Sequence, residues 1–307
     1  MNILTIIVTY NGLKWMKRCL DSIASSSVSI DAYIIDNGSN DGTQEFIKNN
    51  YPQYLLKQND NNAGFGAANN IGLNYAVEHG YDYVYLLNQD AWVESNTIET
   101  LIKINQKYPQ YGILSPLQTN AEGNKLDDGF AYYAPTKDNT LVSDALIGQL
   151  NEVYPVDFIM AAHWLISKEC LTKVGGFSPL FYHYGEDNDY INRVKYHDFK
   201  VGIVTSVKAI HDRERRKLSQ RTELFILKAK FLHTVLNPNT SLFKTYFKSH
   251  FSLIYDGTNM LFKHKNMKII GTLFTLSFTS PKIIIARRKI KKTKGIYLYF
   301  KVFKLLD

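Results

Sequence analysis

Three short apolar runs, each ending on a polar turn, constrain this chain more than any other feature. Ile3–Thr9 is rich in β-branched residues and runs into Tyr10-Asn11-Gly12. Residues 32–35 form a second run that ends at Asp36-Asn37-Gly38-Ser39, and residues 83–87 a third that ends at Asn88-Gln89-Asp90. Helical patterns lie between them. Leu13, Met16, Leu20 and Ile23 recur at helical spacing within residues 13–25, and residues 43–49, 67–80 and 96–108 read the same way. Residues 54–57 read as extended. Strands that alternate with helices predict an α/β fold, a Rossmann-like, mostly parallel sheet flanked by helices. Ligands of such sheets sit beyond the carboxyl ends of the strands. The three polar turns are therefore the expected ligand edge.

The rest of the chain divides by charge. Residues 1–212 carry a net −9 and residues 213–307 a net +17, so the overall +8 conceals two unlike regions. An acidic front suits a metal and a sugar, whereas a basic back suits an anionic surface or is a solvated tail. The predicted organisation is an α/β region over residues 1–212 and a basic, mainly helical region over residues 213–307. Residues 111–155 are irregular and read as a long excursion between sheet elements. Residues 156–212 return to short strands and one helix. Residues 224–236 and 242–262 are helical in pattern.

Cys19 and Cys170 make no disulfide framework and have no zinc spacing. The apolar start has no basic leader and no cleavage site, so it reads as a buried strand rather than a signal peptide. Residues 269–281 are free of charge, but 13 residues are too few for a spanning helix, which needs about 20. The basic run of residues 287–292 follows. The expectation for residues 263–304 is contact with an anionic membrane surface or packing on the enzyme or on a second copy in a homo-oligomer. The expected location is cytoplasmic, peripheral on the inner face of the cell membrane where that contact is made. No nucleic-acid partner is expected.

Single residues gain chemical meaning from the ligand edge. Asp36 can accept the imide N–H of uracil or thymine, or serve as a turn and helix cap. Gly64 and Gly66, within residues 62–70, let a ligand approach the backbone at a helix start, or let a loop pack tightly. Asp90 offers a hard oxygen to Mg²⁺ or Mn²⁺ if a diphosphate supplies further ligands. Glu186-Asp187-Asn188-Asp189 opens a helical stretch. One of its acids can take a proton from an attacking hydroxyl, while Asp189 and Arg193 stand at ion-pair spacing. His211, where the charge reverses, is a candidate metal ligand.

The order and spacing of these pieces resemble glycosyltransferase family 2. The matching residues are Ile7-Val8-Thr9-Tyr10-Asn11, Asp36-Asn37-Gly38-Ser39 with Asp41-Gly42-Thr43, Asn62 with Gly64, Gly66 and Asn70, Asn88 with Asp90, Gly175-Gly176-Phe177, and Gly185-Glu186-Asp187 with Asp189-Tyr190 and Arg193. The resemblance covers residues 1–212 and implies a GT-A catalytic domain there, with a nucleotide-sugar half over about residues 1–110, an acceptor half over about residues 111–212 and inverting transfer from a nucleotide-sugar donor. It implies nucleotide-binding roles for Thr9, Tyr10, Asn11, Asp36, Asn37, Ser39, Asp41, Gly64, Asn70, Asn88, Gln89 and Asp90. It makes Asp187 the base with Glu186 beside it, and places His163, Trp164 and Asp189 on the acceptor side. Asp90 and His211 would hold Mg²⁺ or Mn²⁺. Asn88 stands where the family's metal motif has its first Asp, a form that resembles bacterial rhamnosyltransferases and galactofuranosyltransferases. dTDP-rhamnose is the expected donor, with UDP-sugars next. The acceptor implied is a glycan or lipid-linked glycan in bacterial surface polysaccharide synthesis, as for capsule or O antigen. Two other classes compete. A sugar nucleotidyltransferase would carry a Gly-rich, Arg-containing loop after the first strand, where Thr9-Tyr10-Asn11-Gly12 stands here. A non-catalytic glycan-binding protein would leave the acids at 36, 90 and 187 unexplained.

Overall fold

The computed structural model describes residues 1–136, 139–214, 219–264 and 280–298. Strands β1 (Ile3–Thr9), β2 (Asp31–Asp36), β3 (Leu55–Gln58) and β4 (Tyr83–Asn88) pair in parallel in the order β3-β2-β1-β4. Helices α1 (Leu13–Ala24), α2 (Thr43–Asn50) and α3 (Phe65–Glu78) make the crossovers. Register does the positioning. Thr9 lies opposite Asp36 and Val8 opposite Asn88, so the three polar turns meet at one edge.

Beyond β4 the sheet is mixed. It continues through β8 (His163–Ser167), β6 (Tyr111–Thr119) and β9 (Lys200–His211) to the short β5 (Ala91–Val93), while β7 (Val153–Pro155) pairs with β9. The long excursion expected at residues 111–155 is thus corrected. Its first nine residues are an inner strand, paired with β8 on one side and β9 on the other. A buried strand reads as a continuous run, and Gly112, Ser115, Pro116 and Gln118 interrupt that run here. Gln118 and Ser115 are both buried, and the Gln118 amide N–H donates to Ser115 Oγ. Helices α5 (Asp128–Tyr133) and α6 (Leu141–Ile147) follow β6.

Side-chain alternation gives the sheet two apolar faces. Leu4 and Ile6 join one core with α3, α7 (Lys168–Val174) and α8 (Glu186–Tyr196). Ile3 and Ile7 join the other with α1, α2 and α4 (Thr97–Lys107). Three C-terminal helices, α9 (Gln220–Leu236), α10 (Leu242–His264) and α11 (Ser280–Lys292), form a smaller core that includes Phe181. The loop leading into α8 therefore lies between the sheet and the C-terminal helices.

Candidate active site

The turns at the ligand edge are knitted together by side chains. Gln89 Oε1 accepts both the Thr9 hydroxyl (2.8 Å) and the Tyr10 N–H (2.9 Å). That brings it so near Gly12 that a Cβ there would lie 2.4 Å from Gln89 Oε1. The Asn11 N–H donates to Ser39 Oγ and Asn11 Oδ1 accepts the Asn40 N–H, which ties the β1 turn to the β2 turn. Asn11 holds a left-handed φ of 49°, a conformation that asparagine tolerates. Two adjoining cavities of about 650 and 660 Å³ open on this edge and share Asn88, Gln89 and Asp90. The first is bordered by Tyr10, Asn11, Asn37 and Gly64, the second by Glu186, Asp187, His211 and Arg213.

Asp90 and His211 face each other because β5 pairs with β9, with Ala91 opposite His211. Asp90 Oδ1 lies 3.6 Å from His211 Nε2. On the other side of the ring, His211 Nδ1 lies 3.8 Å from Asp127 Oδ2 and is buried with no hydrogen-bond partner among the described residues. Asp127 is itself buried. It caps α5 by accepting the Phe130 N–H and sits 3.6 Å from Arg213 Nε. Oxygen and imidazole donors on one side, with a carboxylate behind the imidazole, make a donor set that fits a divalent cation. No cluster of three or more acidic, His or Cys side chains suited to a metal exists among the described residues, so two protein ligands are what this site offers.

Glu186 and Asp187 open α8 after two consecutive left-handed residues, Tyr184 (φ 68°) and Gly185 (φ 83°). The turn aims both acids at the second cavity. Burial raises both carboxyls above their ordinary range, Glu186 further because the Asp187 charge adds to its burial. Asp187 is held lower by the N–H and side-chain amide of Asn188, which donate to its Oδ1, and by the Arg213 charge. Glu186 Oε2 has no partner among the described residues. Two neighbouring carboxyls driven apart in this way divide the roles. Both carboxyls are held toward the protonated form, Glu186 more strongly than Asp187.

The structure brings together Tyr10, Asn11, Asn37, Gly64, Asn88, Gln89, Asp90, Glu186, Asp187 and His211 around the cavities. It places other expected site residues elsewhere, which corrects their direct roles. Asp36 is buried within its own turn, accepting from the N–H groups of Gly38 and Ser39, the Ser39 hydroxyl and the Gln44 amide. It shapes the turn, with three of these four bonds on Oδ2 and one, from the Ser39 hydroxyl, on Oδ1. Asp41 joins two helix starts through the N–H groups of Leu13 and Thr43. Thr9 and Ser39 are used in the turn bonds above. Asn70 holds the backbone of Phe177 by a pair of hydrogen bonds.

The acceptor-side expectations at His163, Trp164 and Asp189 are corrected as well, since all three are buried. His163 Nε2–H donates to the Ile210 carbonyl and Nδ1 accepts the Tyr85 hydroxyl; burial lowers its pKa to about 3. Trp164 stacks on Phe177 against Tyr190, so its truncation to alanine would cost about 3–5 kcal/mol of core packing. Asp189 pairs with buried Arg193 at 2.9 Å, and that guanidinium also donates to the carbonyls of Val174 and Gly176. The acidic motif thus splits, its first two acids facing the site and its last holding the Gly175-Gly176 turn.

Residues that sequence reasoning missed complete the walls. Trp15 and His183 border both cavities, Tyr182 the first and Tyr184 the second. The aromatic run Phe181-Tyr182-His183-Tyr184, directly before Gly185, was the available signal. Arg213 and Asp127 had none, because they flank the expected boundary and the expected excursion. Gly64, at φ 85°, shows how tightly the roof closes. A Cβ there would lie 2.2 Å from the Tyr182 carbonyl oxygen.

Known proteins fit this arrangement. Residues 5–129 match the profile of glycosyl transferase family 2. The low-salt glycan biosynthesis hexosyltransferase Agl10 of Haloferax volcanii is 25% identical over 213 residues, 67% of this chain and 66% of its own length. The N-acetylglucosaminyl-diphospho-decaprenol L-rhamnosyltransferase of Mycobacterium tuberculosis is 23% identical over 234 residues, 67% of this chain and 74% of its own. The mannosyltransferase PcManGT of Pyrobaculum calidifontis, solved with GDP-Man and Mn²⁺, superposes with a TM-score of 0.58 at 14% identity, covering 97% of this chain and 84% of that one. Over residues 5–129 the chain is similar to glycosyl transferase family 2, and its sheet and ligand edge are those of the GT-A fold.

Proposed function

We propose that this chain is an inverting glycosyltransferase that moves a sugar from a nucleoside diphosphate to a hydroxyl of a glycan or lipid-linked glycan. One observation carries the reading. The charged base Asp187 and the Asp90–His211 pair line the same cavity, which continues into the one bordered by Tyr10 and Asn11. A donor laid along the edge puts its nucleoside in the first cavity and its diphosphate at Asp90. The acceptor hydroxyl then lies at Asp187. Asp187 takes the hydroxyl proton as the oxygen bonds to the anomeric carbon from the face opposite the diphosphate. The bond to the diphosphate breaks in the same step, so the configuration inverts. Glu186, held more strongly toward the protonated form, limits the charge beside the base. Arg213 faces the developing charge of the leaving group. Asp90 and His211 are the residues that would hold Mg²⁺ or Mn²⁺, a cation that neutralises a departing diphosphate when bound.

dTDP-rhamnose is the first donor assigned, supported by the rhamnosyltransferase relative and by Asn88-Gln89-Asp90. UDP-sugars, galactofuranose included, come second. Surface polysaccharide synthesis is the corresponding setting. A thermal-shift panel of dTDP-, UDP- and GDP-sugars, with and without Mn²⁺, tests the reading. A melting shift with one nucleotide, enlarged by Mn²⁺, is expected, since a ligand bound to the native state at about 100 times its Kd adds about 2.7 kcal/mol. No shift with any nucleotide sugar would overturn it.

A further inference from the structure

Helix α10 exposes an aromatic face that the transferase chemistry does not use. Phe243, Phe247 and Phe251 follow one another at four-residue steps, Ile254 and Tyr255 lie three and four residues beyond Phe251, and Phe262 seven beyond Tyr255; each is between 58% and 81% exposed. Residues so spaced share one side of a helix. From Phe243 to Phe262 the stripe is about 28 Å long at 1.5 Å per residue. The opposite side of the helix is settled against α9. Thr245, Ser249 and Leu253 are buried there, and Lys230 reaches Asp256 at 2.6 Å. Contiguous exposed apolar surface of this kind marks an interaction site.

We propose that this stripe docks α10 flat on a bilayer containing anionic lipid. Charge selects that occupant. Lys244 and Lys248 are exposed along the edge of the stripe. The described acids of the C-terminal region are each engaged by a lysine, Glu214 by Lys14, Glu223 by Lys263 and Asp256 by Lys230. The surface around the aromatics is thus left with uncompensated positive charge, in a region of net +17. Aromatic and aliphatic side chains on one face with lysines beside them are the chemistry of a helix lying in the headgroup layer. A second copy seated on the same stripe would set lysines against lysines, with no acid among the described residues of that face to neutralise them. The orientation suits a helix that lies on the membrane, since no helix among the described residues is long and apolar enough to cross one. The anchor expected at residues 263–304 lies partly outside the described residues, at 265–279 and 299–304. The exposed stripe lies upstream of it.

Vesicle flotation of the full chain tests the docking without any sugar substrate. Vesicles of phosphatidylcholine alone are compared with vesicles that also contain phosphatidylglycerol. The expected result is flotation with the anionic vesicles that weakens at high salt. The double variant Phe247→Ser/Phe251→Ser should lower partitioning at least about tenfold while circular dichroism is unchanged. Lys244→Glu/Lys248→Glu, which leaves the aromatics in place, should remove the preference for phosphatidylglycerol. That second variant decides the matter if the first fails to fold. Absence of flotation in the wild type, or equal flotation of the lysine variant, would overturn the proposal. So would a dimer in sedimentation that the serine variant dissolves while vesicles bind neither.

Discussion

Replacing Asp187 by asparagine should make the protein inactive and more stable at once. The carboxylate and the amide are nearly the same shape, so the α8 turn is kept. A base contributes about 10²–10⁴-fold to such a step, or about 3–5 kcal/mol of barrier. The stability effect follows from burial. The carboxyl of Asp187 rises from 3.8 to about 6 in the folded chain. Keeping it ionised at neutral pH therefore costs the native state up to about 3 kcal/mol. The sign follows from the raised value. Below pH 4 the group is protonated in both folded and unfolded chains and costs nothing. As pH rises through about 6, the cost develops in the wild type and not in the variant. Glu186 relaxes downward too, because the Asp187 charge is part of what raises it. Urea unfolding at pH 4 and pH 7.5, beside a transfer assay, reads both effects. The variant should gain stability relative to wild type at pH 7.5 and little at pH 4. Transfer at the wild-type rate, or a variant less stable than wild type at pH 7.5, would refute the reasoning.

Three other outcomes are expected. Asp127→Asn should weaken Mn²⁺ binding in the presence of nucleotide about 10–100-fold by calorimetry, because the carboxylate behind His211 is lost; an unchanged affinity would remove Asp127 from the metal's surroundings. Arg193→Ala should lower stability in urea by about 3–5 kcal/mol, since buried Asp189 keeps its charge without a partner and two carbonyls lose their donors; a midpoint within error of wild type would show the network to be dispensable. Gly64→Ala should cost about 1–3 kcal/mol in a thermal melt and weaken nucleotide binding, because the added Cβ meets the Tyr182 backbone, which cannot swing aside as a side chain would; intact binding would mean that the roof is not needed by the donor.

The nucleotide half of the fold was legible because each of its signals is local. A β-branched run, a polar turn and a helical period predict β1 to α3 within one or two residues of their observed bounds, and a parallel sheet then places the ends of β1, β2 and β4 together. Aspartates at those ends were visible as candidates for the same reason. Their use was not. Asp36, Asp41 and Asn70 look like ligand residues in a string of letters, yet each accepts from backbone N–H groups, Asp36 within its own turn, Asp41 from its own turn and the start of α1, and Asn70 from the distant Phe177. Strand β6 was missed because its polar residues break the apolar run, and their burial is made tolerable by contacts such as the Gln118–Ser115 bond that the apolar pattern does not show.

The sequence alone determined the strand ends, the acids that open α8 and the reversal of charge near residue 212, since propensity, spacing and charge need no partners. The tertiary structure decided which of those groups face an open cavity. Burial raises Asp187 and Glu186 by unequal amounts, and antiparallel pairing of β5 with β9 sets His211 against Asp90. Packing of α9 and α10 leaves one aromatic face uncovered. Each of these rests on contacts between segments far apart in the chain, and desolvation and distance have no value until those segments meet.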